Sequence, residues 1–141
     1  MNEHSFTRSV LKHLPKSQYR WKINDNFAGG VPDFFYEGKA RDIWVEFKFI
    51  KPFPKRDHTL IDLTAPKYLS KLQQQWLTRR YELRQDCYVV VGSEHGGFIC
   101  PELSWKTPFP AHYLRNHSVS NKELASLLDK MASTGGSVSN R

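Results

Sequence analysis

This 141-residue chain contains two short runs rich in aromatic and β-branched residues, joined by a polar connection. The runs cover residues 33–36 and 43–49, and the connection is Glu37-Gly38-Lys39-Ala40-Arg41-Asp42. Aromatic and β-branched side chains favour strands, whereas a short polar segment with a glycine favours a turn. The pattern therefore predicts a β-hairpin.

Three charged residues lie in these strands, where a core requires only apolar ones: Asp33, Glu46 and Lys48. Side chains alternate along a strand, so Glu46 and Lys48 share a face, and hairpin pairing brings Asp33 alongside Glu46. Two converging carboxylates repel each other unless a cation lies between them, and an all-oxygen site suits Mg²⁺ or Mn²⁺ better than zinc. Such a site can hold a phosphodiester, and Lys48 can then orient or deprotonate a water, or offset transition-state charge. In the alternative interpretation, Glu46 and Lys48 face solvent and Asp33 is an ordinary turn residue.

The rest of the chain alternates between helical and extended patterns. Apolar residues at helical spacing predict helices over residues 2–14, 69–83 and 120–132, and Ser-Asn-Lys-Glu is a capping box for the last helix. Further strands are predicted over residues 19–23, 87–92 and 98–100, with the turn residues Asn24-Asp25-Asn26 after the first. Residues 51–66 form a long predicted loop with a short extended piece at 60–63, and residues 101–118 are expected to be irregular. We predict one domain over residues 1–133 and a disordered Gly/Ser-rich tail over residues 134–141.

Two of the predicted helices each place a polar residue on an apolar stripe. The predicted helix over residues 69–83 has one apolar stripe, which consists of Leu69, Leu72, Trp76, Leu77 and Leu83, and Gln73 falls among these residues. Glu3 lies at helical spacing from Phe6. Both helices are therefore expected to bring a polar side chain toward the sheet. Alternatively, Glu3 complements the helix dipole, and Gln73 lies at the edge of the buried face and bonds to backbone groups.

Taken together, three segments in this order resemble the PD-(D/E)xK nuclease superfamily, and most closely its VRR-NUC-like branch. The resemblance spans residues 3–92, about two thirds of the chain. The segments are Gly30-Val31-Pro32-Asp33-Phe34, Trp44-Val45-Glu46-Phe47-Lys48 and Leu69-Ser70-Lys71-Leu72-Gln73-Gln74-Gln75-Trp76-Leu77. They are similar to the family's glycine-x-proline-aspartate entry, its catalytic strand and its following helix.

The resemblance implies an α/β fold with a restriction-endonuclease-like core, αβββαβ, in which helices flank a central mixed sheet. It implies that Asp33 and Glu46 bind the metal together with the backbone carbonyl of Phe47, and that Glu3 completes the metal shell. Lys48 would act on the attacking water, and Gln73 would brace the site from its helix. The connection between Lys48 and the following helix is longer and richer in proline than in the family.

The formal net charge of +7 favours a polyanionic partner. We expect a Mg²⁺- or Mn²⁺-dependent DNA endonuclease acting on junctions, flaps or nicks, and the resemblance makes a homodimer on branched DNA a working hypothesis. Phosphate contacts are expected from Lys51, Lys55, Arg56, Arg79 and Arg80. Alternatively, Arg80 extends into water. The predicted loop over residues 51–66 could clamp the phosphate backbone of the substrate, cover the site or simply connect two elements.

Two other functions remain open for the same residues, a catalytically silent nucleic-acid-binding module of this fold and a metal-dependent ribonuclease. No apolar run approaches the roughly 20 residues that span a bilayer, so we expect no membrane partner and a cytoplasmic location.

Overall fold

The predicted hairpin forms, and it is part of a five-stranded mixed sheet flanked by helices. The computed structural model describes residues 1–23 and 29–134. The helices are α1 (Glu3–Leu11), α2 (Lys71–Arg84), α3 (Ala111–His117) and α4 (Asn121–Thr134), with a 3₁₀ turn at Ser104–Lys106. The strands are β1 (Arg20–Lys22), β2 (Phe34–Glu37), β3 (Asp42–Phe49), β4 (Leu60–Ile61), β5 (Cys87–Ser93), β6 (Gly96–Ile99) and β7 (Phe109–Pro110).

The sheet has the order β1-β2-β3-β5-β6, and its strands are not all parallel. The pairs β1/β2, β2/β3 and β5/β6 are antiparallel, whereas β3 and β5 are parallel. Parallel neighbours need a crossover connection, and the segment containing α2 provides it. A second, two-stranded sheet joins β4 to β7. The fold is thus mixed α/β with a central mixed sheet, as predicted at this level.

Buried side chains form one cluster on each face of the sheet. Residues of α1 and α4 pack on the face that carries Ile43, Val45 and Phe47. Leu77 of α2 and residues of α3 pack on the opposite face, against which Trp44 is partly buried. Every residue of β5 is buried, as expected for a continuous apolar strand covered on both sides. Because β3 lies at the middle of the sheet, its two faces supply both clusters.

The predicted apolar stripe of α2 is wrong at two positions. Leu72 and Leu83 are 56% and 59% exposed, and Leu77 is the helix's one buried residue. The helix also begins at Lys71, so the buried Leu69 precedes it. Helical spacing does not show which of the leucines contact the core, so the predicted buried face of α2 was too wide.

The segment 101–118, predicted to be irregular, contains β7 and α3. Pro110 has extended backbone angles immediately before α3, where a proline is compatible with a helix start. The helix has only seven residues, which is too short for an apolar period to show in the sequence. Three prolines in the segment therefore concealed a helix that tertiary contacts stabilise.

The ends of several elements also differ from the predictions. Helix α1 ends at Leu11 instead of residue 14, although Leu14 is still buried in the turn that follows. Helix α4 reaches Thr134, one residue past the predicted domain boundary. The predicted turn at residues 24–26 and residues 135–141 of the predicted tail lie outside the described residues.

Candidate active site

Asp33 and Glu46 meet where β2 begins. Strand β3 continues past this point to Phe49. The register pairs Phe34 with Val45, so the residue before β2 lies opposite Glu46. The amide nitrogen of Asp33 donates to Glu46 Oε1 at 3.2 Å, and the amide nitrogen of Phe47 donates to Asp33 Oδ2 at 3.4 Å. The hairpin therefore brings the two carboxylates together, as its length and alternation predict.

Two cationic or polar side chains converge on the other oxygen of Glu46. Lys48 Nζ lies 3.1 Å from Glu46 Oε2, and Gln73 Nε2 donates to the same oxygen at 3.2 Å. Lys48 reaches it from the same strand face, two residues along β3, whereas Gln73 reaches it from the first turn of α2. Asp33, Glu46, Lys48 and Gln73 thus form one cluster, which we call the carboxylate cluster.

A capping box holds the Gln73 side chain in place. The amide nitrogen of Ser70 donates to Gln73 Oε1 at 2.9 Å, and the amide nitrogen of Gln73 donates to Ser70 Oγ at 3.1 Å. Because Oε1 accepts the Ser70 bond, the amino group of the side chain is directed to Glu46. The spacing S-x-x-Q at residues 70–73 is a recognisable capping signature, and it could have located this helix start.

Glu46 is buried to a degree that is unusual for a carboxylate. It is 1% exposed and Lys48 is 9% exposed, which contradicts the alternative that both residues face solvent. Burial raises the pKa of Glu46 to about 8, the charge of Asp33 adds to the increase, and Lys48 opposes it. Negative charge on Glu46 is therefore costly in this environment, and a further cation beside it would stabilise the ionised form.

Glu3 approaches the cluster from the start of α1. Its charge interacts with Lys48, Asp33 and Lys22, and partial desolvation of the carboxyl group raises its pKa although the residue as a whole is exposed. Asn2 and Ser5 cap the helix start in a capping box. The first turn of α1 therefore positions Glu3 at the margin of the site.

The oxygen atoms at the cluster fit a hard divalent cation for which the protein supplies only some of the ligands. Within residues 1–23 and 29–134, no three His, Cys, Asp or Glu side chains converge to hold an ion by themselves. The amide of Phe47 points to Asp33, and the carbonyl of the same extended residue points the same way, beyond the end of β2. Two carboxylates match what proteins usually contribute to a Mg²⁺ site, which also includes waters and substrate phosphate oxygens, and the carbonyl offers one more oxygen.

The glycines before Asp33 allow its loop to approach α2 closely. Gly29 and Gly30 have positive φ values of 67° and 81°, and a Cβ on Gly30 would lie 2.6 Å from the carbonyl oxygen of Leu72. A side chain at that position would be strained and would also collide with the first turn of the helix. These glycines therefore let the loop with Asp33 and the turn with Gln73 share one site.

The basic residues predicted to contact phosphate lie in two regions. Lys51 and Lys55 line a groove of about 750 Å³ beside the ends of β3 and β5, and Arg56 is exposed nearby in the chain. Arg79 and Arg80 project from α2, and Arg80 makes two hydrogen bonds to Asp86, at 2.9 and 2.7 Å. Asp86 thus engages Nε and Nη2 of Arg80, and a phosphate contact by Arg80 would use its remaining guanidinium N–H groups or break this ion pair.

The long connection after β3 is anchored to the protein. Phe53, Ile61 and Leu63 are buried in the cluster on the α2 face, and β4 within the connection pairs with β7. The segment is therefore more than a solvated linker, and it fixes one wall of the groove that contains Lys51 and Lys55.

Comparisons with known proteins leave these contacts as the basis for any functional conclusion. Within the described ranges 1–23 and 29–134, no helix is both long enough and apolar enough to cross a membrane. The chain matches no protein-family model, no curated protein and no solved structure.

Proposed function

We propose that this protein is a divalent-metal-dependent DNA endonuclease with a restriction-endonuclease-like core of the PD-(D/E)xK, VRR-NUC-like type. It hydrolyses phosphodiester bonds and selects its substrate by structure, at junctions, flaps or nicks. One observation carries the proposal: the buried Glu46 contacts Lys48 and Gln73 through one oxygen while its other oxygen accepts a bond from the amide of Asp33.

Stability alone gives a poor reason for this arrangement. A buried ion pair loses hydration energy that its mutual attraction often fails to recover, and apolar residues of similar volume are frequently more stable. Here a second carboxylate, Asp33, increases the cost of ionising Glu46. Titratable groups that a fold holds in an unfavourable state are concentrated at functional sites.

Each residue of the site has a role that its position allows. Asp33, Glu46 and the carbonyl of Phe47 would hold Mg²⁺ or Mn²⁺, and Glu3 would complete the shell. The bound ion would supply Lewis-acid activation of the phosphate and of a water. Lys48 orients the attacking water or stabilises the charge that develops on the phosphate. Gln73 holds the carboxylate of Glu46 in one orientation and so acts as a positioning residue.

The order of elements supports the proposed core. Helix α1, strands β1 to β3, helix α2 and strand β5 follow one another as αβββαβ, with the small β4 inserted in the connection, and β3 is parallel to β5. The excess of positive charge supports DNA as the partner, and a homodimer would supply the second site needed to cut two strands together.

Cleavage assays on defined substrates test the proposal. Purified protein is incubated with supercoiled plasmid, a four-way junction, a flap, single-stranded DNA and RNA, with Mg²⁺, with Mn²⁺ or with EDTA. We expect metal-dependent DNA cleavage that falls about 100-fold or more in Lys48→Ala and Glu46→Ala, the scale seen when one transition-state contact is removed. Lys39→Ala, at an exposed position in the hairpin connection, is the matched control and should cleave normally.

Other outcomes would decide against the proposal. Undiminished metal-dependent cleavage in both site variants would refute the catalytic assignment. Binding of nucleic acid with no cleavage under any metal condition would identify a catalytically silent module, and cleavage of RNA alone would identify a ribonuclease.

A further inference from the structure

Four aromatic residues occupy neighbouring positions in a row across the sheet and onto α2. Trp21 of β1 lies opposite Phe35 of β2, which in turn lies opposite Trp44 of β3. The rings of Phe35 and Trp44 have centroids 4.9 Å apart, and those of Trp44 and Trp76 are 5.4 Å apart. We call Trp21, Phe35, Trp44 and Trp76 the aromatic row.

One end of the aromatic row is open to solvent. Trp21 is 51% exposed, and the neighbouring Tyr19, whose ring centroid lies 6.4 Å from that of Phe35, is 57% exposed. Toward the other end, Trp44 and Trp76 are half-buried against the cluster under α2. Contiguous exposed aromatic surface at a sheet edge is a feature of binding sites.

The aromatic row lies beside the carboxylate cluster on the same face of the sheet. Phe35 of β2 follows Asp33 by two residues, and Trp44 precedes Glu46 by two residues on β3. Residues two apart on a strand point to the same side and are separated by roughly 7 Å. A group bound at the two carboxylates is therefore close to the aromatic rings.

Charges near the aromatic row favour an anionic strand on one side of it. The guanidinium group of Arg79 lies 5.8 Å from the ring centroid of Trp76, whereas that of Arg80, 5.8 Å from the ring centroid of Trp44, is already paired with Asp86. Glu37 and Asp42 lie opposite each other at the hairpin end of the same face, and their negative charges disfavour phosphates there. The other side of the aromatic row, where Lys48 and the proposed metal ligands lie, is therefore the better path for phosphates.

We propose that the aromatic row stacks against unpaired bases of the same nucleic acid strand whose phosphate lies at the carboxylate cluster. This inference rests on the proposed function. Aromatic rings bind base faces with little regard to sequence, and those faces are accessible in single strands but covered by stacking within a duplex. The substrate class is therefore a strand that is unpaired next to the cut, such as a flap or a single-stranded segment. A protein partner on the same surface is the competing occupant, but it would not explain why the rings adjoin the carboxylates and the lysine.

Binding assays with a Trp21 series test this inference without cleavage. Fluorescence anisotropy in EDTA measures the affinity of each variant for a labelled single-stranded oligonucleotide and for the matching duplex. We expect Trp21→Leu to weaken single-strand binding by about 5- to 150-fold per lost stack and to change duplex binding little. Trp21→Phe should retain most of the affinity because it retains a ring.

Two further variants complete the series. Leu60→Ala removes an apolar side chain that is 63% exposed on the separate two-stranded sheet, and it should bind like the parent. Tyr19→Leu should weaken single-strand binding less than Trp21→Leu, and it keeps the inference testable if Trp21→Leu fails to fold by circular dichroism.

The outcomes separate this inference from the proposed function. Equal single-strand affinity across the series would overturn the role of the aromatic row even if the protein cleaves DNA. Unchanged affinity together with a change of oligomeric state in size-exclusion chromatography would identify a protein interface and also overturn it. Ring-dependent single-strand binding without any cleavage would support the aromatic row and refute the nuclease.

Discussion

Replacing Gly92 by alanine should destabilise the protein, because of how α1 packs on the sheet. A Cβ on Gly92 would lie within 2.6 Å of three atoms of the Phe6 ring. That ring is fully buried, and its centroid lies 6.1 and 5.7 Å from those of Phe47 and Phe49. Because the ring is buried and packed against two others, relief of the collision requires the ring to rotate or α1 to shift outward, and a shift of α1 would move Glu3 relative to the site.

The sign and size of the effect follow from two opposing contributions. Alanine in a strand interior is normally more favourable than glycine by about 0.5–1 kcal/mol. Overpacking a filled core costs about 1–3 kcal/mol, and here the collision is with a fully buried ring that packs against two others. We therefore expect Gly92→Ala to lower the free energy of unfolding by about 1–2 kcal/mol, and Tm by about 3–8 °C for a chain of this size.

Urea unfolding followed by circular dichroism measures this change, and a double-mutant cycle assigns its cause. Phe6→Leu, which removes ring atoms, should cost less in the Gly92→Ala background than in the parent, with a coupling energy of about 1 kcal/mol or more. If Gly92→Ala is as stable as the parent, or if the two changes add to within about 0.5 kcal/mol, the packing argument is wrong.

Three other predictions concern the carboxylate cluster. Gln73→Ala should lower the cleavage rate about 10- to 100-fold, because the carboxylate of Glu46 is no longer held in one orientation. Gln75→Ala, at an exposed position of the same helix, should cleave like the parent. If Gln73→Ala also cleaves at the parent's rate, Gln73 is not a positioning residue. In metal-free protein the raised pKa of Glu46 means that its contribution to stability is present below about pH 4.5 and is lost as the pH rises toward about 8. Glu46→Gln should therefore lose less unfolding free energy over that interval than the parent, as measured by urea unfolding, and parallel pH curves would contradict this. Mn²⁺ at 100 times its dissociation constant should stabilise the parent by about 2.7 kcal/mol, and a similar gain in Asp33→Asn would show that the ion binds elsewhere.

Local patterns were sufficient to predict how Asp33 meets Glu46. A strand period of two and a short connection set the register of a hairpin, and the observed pairing of Phe34 with Val45 follows that register. The same reasoning failed for Leu72 and Leu83, because helical spacing identifies a stripe without identifying the element against which it packs. It also missed α3, whose length is below that at which a period can be recognised.

The hairpin and the shared face of Glu46 and Lys48 follow from the amino-acid sequence alone, because each depends on the backbone geometry of neighbouring residues. Contacts between distant segments establish that Glu46 is buried, that Gln73 reaches it across 27 positions of the chain, and that aromatic side chains of four elements lie in one row. Those contacts depend on where β5 and α2 pack relative to β3, and that packing is settled by the whole core, since no local period of a single segment encodes it.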